Sequence, residues 1–363
     1  MKINKKVVAE NGILILSLAE TLSSIGGFIL FSFMGNRAFN TYNLCKDKKA
    51  KKIKSIKLPP ELKLEHNDLD LEKIASKEYS ECLVKFLNIL NENFSKEDLK
   101  NFYNNIYSLK FKDKNFKLNN KLFNQRTIAE YCINDNEIKI NKYNYHKSIY
   151  HELFHMASAN RSDNYCGGFS QGNNNVGYGI DEGYTELLTQ RYFVKDEFSS
   201  IKYRYLRDVS KKIEFIVGKE KMESLYMNAD LMGLINELKL YSSEENIMKF
   251  ITNMDFVYKY MSYSKIIGVR EKLVNKALKE IAEFIVKTYT NKLIKYKERL
   301  GLSKEDFVKF IEFLIYDITA TLDIGKNKFN ITNYEEVFDW SIEELCKEYN
   351  EKPNNVNIYV KKR

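Results

Sequence analysis

The sequence predicts a predominantly helical α+β fold with one small antiparallel or mixed sheet. Apolar residues recur at helical spacing over long stretches, and no proline occurs between Pro60 and Pro353, as is typical of uninterrupted helices. Only the short segments Thr127–Ile133 and Glu137–Asn141 have the composition of strands. A hydrophobic content of 44% with 13% aromatic residues indicates a packed core, which excludes a disordered chain.

The first element is a long apolar span from Gly12 to Met34, in which Glu20 is the only charged residue. Its length predicts a single membrane-anchor helix within residues 1–40. Lysines are more numerous after the span than before it, which favours a cytoplasmic location for the rest of the chain. Two alternatives stay open. The polar residues of the span share one helical face, as in an interfacial or protein-packed helix, and Ile13–Ala19 is also compatible with a cleaved signal peptide.

A basic linker is predicted for residues 41–60, where lysines are dense and the segment ends at Pro59-Pro60. Beside an apolar span, such lysines can contact anionic lipid headgroups. The net charge of +9 does not by itself indicate a nucleic-acid partner. The lysines are spread along the chain, and no helix-turn-helix, zinc-finger or aromatic RNA-binding motif accompanies them.

Two helices and two strands are predicted next. The helices are Leu69–Leu90 and Ser95–Leu109, and Ser95 and Asp98 have the spacing of a capping pair at the start of the second. The two strand segments named above follow, joined by a turn-forming run of Asn, Asp and Asn. These elements precede the part of the chain that carries the chemistry.

That part begins with an H-E-x-x-H motif, His151 to His155, within the predicted helix Lys147–Met156. Histidines four residues apart project from one helical face and can occupy two corners of a tetrahedral metal site. Glu152 lies beside them, where it can hold a metal-bound water and accept its proton. The chain has only four histidines, so a chance occurrence of this motif is rare. The motif predicts a zinc site.

A candidate third ligand occurs at the start of a further predicted helix, where Glu182 and Glu186 share one face. The spacing suggests that Glu182 binds the metal and that Glu186 accepts the free ring N–H of a ligating histidine. The reverse assignment stays open. Cys166 lies between the two motifs and is a candidate fourth ligand, with an ordinary buried cysteine as the alternative.

Together the two motifs resemble the gluzincin branch of zinc peptidases, whose second motif reads Asn-Glu-x-x-Ser-Asp. In this resemblance Glu182 corresponds to the third zinc ligand, Glu186 to the acid that orients a ligating histidine, and Thr185 to the small hydroxyl residue. Asp181 stands where the family usually has Asn. The resemblance covers residues 125–193, and it implies a zincin-like catalytic subdomain over residues 61–195.

The resemblance also implies an edge strand beside the motif helix that pairs with extended substrate backbone. Glu137–Asn141 is the candidate for it, with an ordinary sheet strand as the alternative. Tyr178, Tyr184 and His146 are candidate donors to the oxyanion formed during hydrolysis, with core packing as the alternative for the tyrosines. The loop Ser158–Gly179 is rich in Gly, Asn and Ser and is expected to form a rim of the cleft.

A helical C-terminal subdomain is predicted for residues 196–363. Ser242 and Glu245 have the spacing of a helix start, and Gly218 and Gly301 are expected to end helices. No second catalytic motif occurs there, so we expect this region to form the far wall of the cleft.

The sequence therefore predicts a membrane-attached zinc metallopeptidase, in which Glu152 is the general base for a metal-activated water. The expected cofactor is Zn²⁺, and the expected partners are a peptide or protein substrate and the membrane, without nucleic acid. The alternative is a membrane-tethered helical interaction protein with a structural or catalytically silent zinc site. Five cysteines without a C-x-x-C pair indicate a reducing compartment. No oligomeric state is predicted.

Overall fold

The computed structural model describes residues 55–57, 68–70, 77–113, 129–141, 148–162, 166–172, 176–193, 203–267, 271–300, 303, 323–324 and 327–328. The chain divides into two compact units, Met1–Ile53 with Glu298–Gly301 and Lys54–Lys297 with Leu302–Arg363. Only the end of one helix is described in the first unit. The fold below is that of the second unit.

Helices make up most of the described residues, as the sequence predicts. In chain order they are α1 (Lys77–Asn93), α2 (Lys100–Ile106), α3 (Ile149–Ser158), α4 (Tyr178–Phe193), α5 (Arg204–Val217), α6 (Lys219–Met227), α7 (Leu231–Leu238), α8 (Glu244–Ile267) and α9 (Glu271–Leu300). The motif helix is α3, and the helix with the two candidate glutamates is α4.

The largest described sheet is mixed and three-stranded, which confirms the prediction of a small sheet. Its strands are β3 (Lys110–Asp113), β4 (Ala129–Cys132) and β5 (Glu137–Ile140), in the order β3-β5-β4. Strand β5 is parallel to β3 and antiparallel to β4. The other strands form antiparallel pairs: β1 (Ser55–Lys57) with β2 (Asp68–Asp70), β6 (Cys166–Gly167) with β7 (Ser170–Gln171), and β8 (Asp323–Ile324) with β9 (Asn327–Lys328).

The prediction that Glu137–Asn141 forms an edge strand is wrong. Strand β5 lies between β3 and β4, so both of its edges are paired. Its side chains Ile138 and Ile140 have no exposed surface, as suits a central strand. The two outer strands of this described sheet are β3 and β4. Of these, β4 packs against α3. The pairing of β3 with β5 joins distant parts of the chain, and local sequence pattern carries little information about such pairing.

The helix boundaries follow the local signals in some places. The prediction Leu69–Leu90 is wrong at its start, because Asp68–Asp70 is strand β2 and α1 begins at Lys77. The predicted helix Ser95–Leu109 is also wrong at its start, because α2 begins at Lys100 and its N-cap Leu99 makes no side-chain cap hydrogen bond. The Ser95 hydroxyl does accept a hydrogen bond from the Asp98 N–H at 3.3 Å, but this contact lies in the turn that precedes the helix. Helix α5 ends immediately before Gly218, as predicted. Gly301 lies outside the described residues, so the prediction for it stays a prediction.

The motif helix α3 is buried along most of its length. Ile149, Leu153 and Met156 have no exposed surface, and they are the apolar positions that predicted the helix. The buried Asn105 of α2 donates hydrogen bonds to the carbonyl oxygens of Met156 and Ala159, at 2.9 and 2.7 Å. These bonds satisfy carbonyl groups that the end of a helix leaves without partners. The position of α3 is therefore fixed by packing and by its last turn.

Helix α4 lies very close to α8 and α5 because two glycines face them. A Cβ atom on Gly179 would overlap the Met254 carbonyl oxygen of α8, and one on Gly183 would overlap the Leu206 carbonyl oxygen of α5. Side chains at either position would separate the helices. The close contact of α4 with α5 joins the predicted catalytic subdomain to the first helix of the predicted C-terminal one.

The start of α4 is capped by a residue that is distant in sequence. The buried Asp255 of α8 accepts hydrogen bonds from the N–H groups of Gly177 and Gly179, both at 2.8 Å. A carboxylate at a helix N-terminus satisfies amides that lack partners and interacts favourably with the helix dipole. The helix that carries the candidate ligand Glu182 is thus fixed at its first turn.

None of the helices in the described part of the chain combines the length and apolarity needed to cross a bilayer. The predicted anchor Gly12–Met34 lies outside the described residues. So does the predicted linker of residues 41–60, except for Ser55–Lys57, which form β1. The single-pass membrane location and the cytoplasmic side of the membrane stay predictions.

Candidate metal centre

Two histidines of α3 and one glutamate of α4 bring three possible metal ligands together. The Nε2 atoms of His151 and His155 are 3.1 Å apart. The Glu182 Oε2 atom lies 3.2 Å from the first of these nitrogens and 3.9 Å from the second. The three side chains form the one group of this kind among the described residues.

These distances fit a tetrahedral ion. With bonds of roughly 2.0–2.1 Å from zinc to nitrogen or oxygen, neighbouring ligand atoms of a tetrahedron lie about 3.3 Å apart. The three measured separations bracket that value. Because the ligands come from separate helices, their convergence depends on the packing of α3 against α4.

Each histidine also has a carboxylate next to its other ring nitrogen. Glu186 Oε2 lies 3.3 Å from His151 Nδ1, and Asp181 Oδ2 lies 3.4 Å from His155 Nδ1. Both carboxylates are buried. A carboxylate in this position keeps the proton on Nδ1 and directs the Nε2 lone pair toward a metal. The predicted contact of Glu186 with a ligating histidine is thus present in the geometry.

Asp181 is a site residue that sequence reasoning missed. Its second oxygen, Oδ1, accepts a hydrogen bond of 3.0 Å from the Phe169 N–H, in the β6–β7 hairpin of the loop predicted to form a rim. Phe169 is fully buried, so this part of the loop packs inward and supports the site. A usable signal did exist: two ligating histidines need two Nδ1 acceptors, and the sequence prediction supplied only Glu186.

Glu152, the candidate general base, faces the edge of the sheet. Its Oε2 atom accepts a hydrogen bond of 2.8 Å from the Tyr131 N–H of β4. Burial raises the pKa of Glu152 to about 7, although the positive charge of His151 and the Tyr131 hydrogen bond oppose the rise. A carboxylate with a pKa near 7 can both accept and return a proton at neutral pH.

The two histidines differ in their affinity for protons. Burial favours the neutral form of His151, but hydrogen bonds to Glu182 and Glu186 outweigh it and raise its pKa well above the usual value. Burial lowers the pKa of His155, and the charge of His151 adds to that effect while Asp181 opposes it. The raised pKa of His151 favours a proton on its ring in the metal-free protein, and an incoming cation would compete with that proton.

Tyr203, immediately before α5, is a second residue that sequence reasoning missed. Its ring lies parallel to that of His151, with 5.7 Å between ring centroids and 13° between ring planes. Its hydroxyl donates a hydrogen bond to the Glu182 carboxylate. Tyr203 thus contacts two of the three ligands. It follows the end of α4 by ten residues in sequence and belongs to no motif, so only the tertiary structure reveals it.

The structure distinguishes among the candidate oxyanion donors. Tyr184 has no exposed surface, and its hydroxyl donates to Glu214 Oε2 at 2.7 Å, which assigns it to the core. Tyr178 stacks on Tyr258, with ring centroids 6.2 Å apart. His146 lies outside the described residues. For Tyr184 the alternative, core packing, is therefore the one observed: it lies two residues from Glu182 and so on the opposite face of α4.

Cys166 does not join the group of ligand atoms. It lies in β6, where its carbonyl oxygen accepts a 2.7 Å hydrogen bond from the Asn160 N–H. Within the described part of the chain, the group therefore offers three protein ligands. A structural zinc site usually has four, whereas a catalytic one keeps a position open for water.

Comparisons of the chain with protein-family models, with curated proteins and with solved structures found no match. The class of site is therefore defined by its own geometry: a buried group of two histidines and one glutamate that can hold a metal ion.

Proposed function

We propose that the protein is a zinc metallopeptidase of the gluzincin kind, with a zincin-like core. The observation that carries the proposal is the convergence of His151, His155 and Glu182 from two helices, with a carboxylate next to Nδ1 of each histidine. Two imidazoles and a carboxylate form the ligand set of many catalytic zinc ions. The H-E-x-x-H sequence of α3 adds the residue type that such hydrolysis requires.

Zinc, when bound by this ligand set, would supply a Lewis acid that makes water more acidic and polarises a carbonyl group. The residues of the chain would do the rest. His151, His155 and Glu182 hold the ion and leave a position open for solvent. Asp181 and Glu186 fix the orientation of the two rings.

Glu152 is the proposed general base. Burial keeps its pKa near 7, so it can take a proton from the attacking water and then deliver one to the departing amine. Its carboxylate is already hydrogen-bonded to the Tyr131 N–H. That contact orients the carboxylate between the outer strand and the ligands.

The proposed substrate is a peptide bound in extended form along β4. The Tyr131 N–H points away from β5, because it donates to the side chain of Glu152 and not to the neighbouring strand. Among the described strands β4 is an outer strand of its sheet, so its outer edge can pair with a peptide backbone. A peptide in that position would pass directly beside Glu152.

Substitution of Glu152 by Gln tests this function. Gln can still accept the Tyr131 hydrogen bond, but it cannot take a proton. We expect hydrolysis of a mixed peptide library to fall by about 10²- to 10⁴-fold, while elemental analysis still finds bound zinc. Glu220→Gln is the matched control, since Glu220 is exposed on α6, and its activity should equal that of the wild type. Wild-type hydrolysis by Glu152→Gln would exclude Glu152 as the base.

A further inference from the structure

A series of hydrogen bonds connects the metal centre to α5. Gln190 of α4 donates from Nε2 to Glu186 Oε1 at 3.2 Å. The guanidinium of Arg207 donates to Gln190 Oε1 at 2.7 Å. The other oxygen of Glu186 is the one that lies 3.3 Å from His151 Nδ1. The series therefore runs from a buried arginine, through one amide and one carboxylate, to a proposed zinc ligand.

The amide of Gln190 has only one orientation that satisfies both neighbours. A guanidinium has donors and no acceptor, and an ionised carboxylate has acceptors and no donor. The amide oxygen must therefore face Arg207, and the amide NH₂ must face Glu186. Neither Glu nor Met at this position could make both contacts. The side chain connects a donor on one side to an acceptor on the other.

Arg207 is itself held firmly. It is 5% exposed, and its Nε and Nη2 atoms donate to Asp208 Oδ1 at 2.7 and 2.5 Å. A long side chain that is fixed in this way can restrain the next group in the series, because little rotational freedom is left to it.

We propose that Gln190 and Arg207 are positioning residues for metal binding. They hold the Glu186 carboxylate in the rotamer that faces His151, and Glu186 in turn fixes the ring whose Nε2 binds the ion. Glu186 is one methylene longer than an aspartate, so it has an additional rotatable bond to restrain. This inference rests on the metal site proposed above, but it does not depend on peptide hydrolysis.

The test is the affinity of the full-length protein for Zn²⁺, measured by competition with a chromogenic chelator. The variants are Gln190→Met, Arg207→Met and the double variant. Loss of a residue that contacts a metal ligand usually lowers metal affinity by about 10- to 100-fold. Gln190 contacts Glu186 and not the ligand itself. We therefore expect a smaller loss of zinc affinity, about 3- to 10-fold. Thr189→Val is the matched control, because the Thr189 hydroxyl donates only to the helix carbonyl of Thr185 in the described contacts.

The double variant distinguishes positioning from general destabilisation. Residues that act through one series of contacts have non-additive effects, so the double variant should bind zinc no more weakly than Gln190→Met alone. The visible spectrum of bound Co²⁺ should change in Gln190→Met and stay unchanged in Thr189→Val. A merely structural role would lower the melting temperature of the metal-free protein and leave both the zinc affinity and the Co²⁺ spectrum unchanged.

The outcomes separate the inference from the proposed function. If the wild type binds one zinc ion and Gln190→Met binds it equally well, the positioning role is wrong and the metal site stands. If the losses of zinc affinity from the two substitutions add in the double variant, the two residues do not act through a single series of contacts. If the wild type binds no zinc, both the metal site and this inference are wrong.

Discussion

Two carboxylates at the candidate site use their two oxygen atoms for different contacts. Asp181 uses Oδ2 for His155 and Oδ1 for the Phe169 N–H, while Glu186 uses Oε2 for His151 and Oε1 for Gln190. Each carboxylate therefore orients one ring with one oxygen and is itself oriented through the other. Paired acceptors of this kind explain why an acid is suited to each position.

Asp181→Asn should weaken metal binding. An asparagine has one oxygen, so it can accept either from Phe169 or from His155 Nδ1, but not from both through separate oxygens. We expect the dissociation constant for zinc to rise by about tenfold, as measured by chelator competition. Asp230→Asn is the control, because Asp230 caps α7 by accepting from the Gly233 N–H and an asparagine can do the same. Unchanged affinity in Asp181→Asn would show that the His155 contact has no role in binding.

Metal affinity should increase with pH. The pKa of His151 is raised in the metal-free protein by Glu182 and Glu186, although burial opposes the rise, so its proton competes with the cation. Below that pKa, affinity should fall by about tenfold per pH unit for each proton displaced. Titration calorimetry in buffers of different ionisation enthalpy should detect release of at least one proton per zinc at neutral pH. Binding without proton release would contradict the protonation of His151 in the metal-free protein.

Helix α4 is the element on which the site depends most. It carries Asp181, Glu182 and Glu186, its start is capped by Asp255, and its glycines allow α5 and α8 to approach. The position of the candidate ligand Glu182 is therefore set by contacts with two other helices. Helix α3 supplies the histidines and is fixed by its own buried face.

Gly183→Ala should disturb both stability and metal binding. The added methyl group would overlap the Leu206 carbonyl oxygen, and such overpacking typically costs about 1–3 kcal/mol. Because Gly183 is next to Glu182, displacement of α4 should also weaken zinc binding. Thermal unfolding and chelator competition measure the two effects.

Gly218→Ala is the control for that experiment. Gly218 has a φ of 103° and a ψ of 139°, with nothing near its missing Cβ, so alanine there should cost about 1–3 kcal/mol through backbone strain alone. Its zinc affinity should match that of the wild type. If Gly183→Ala binds zinc as tightly as the wild type, the close approach of α4 and α5 does not position Glu182.

Across the whole molecule, local signals in the sequence predicted local features well. The spacing of His151 and His155 placed two imidazoles on one face of α3, and Gly218 marked a helix end. The convergence of Glu182 on the histidines was also predicted, with the help of a family resemblance. These features depend on residues within a few positions of one another or on a known pair of motifs.

Features that depend on long-range packing were not predicted. The central position of β5 follows from its pairing with β3, and Tyr203 and Arg207 reach the site only because α5 packs closely on α4. Asp181 was recognised as a departure from a motif, but its partner His155 is apparent only in three dimensions. The sequence predicts which groups could do the chemistry, and the fold determines which groups hold them.

The most direct test of the site is a crystal structure of the full-length protein with zinc, with anomalous data collected at the zinc edge. The proposed site predicts one strong anomalous peak, about 2.0–2.2 Å from His151 Nε2, from His155 Nε2 and from a carboxylate oxygen of Glu182. A peak that lacks Glu182 among its ligands, or no peak at these residues in excess zinc, would contradict it.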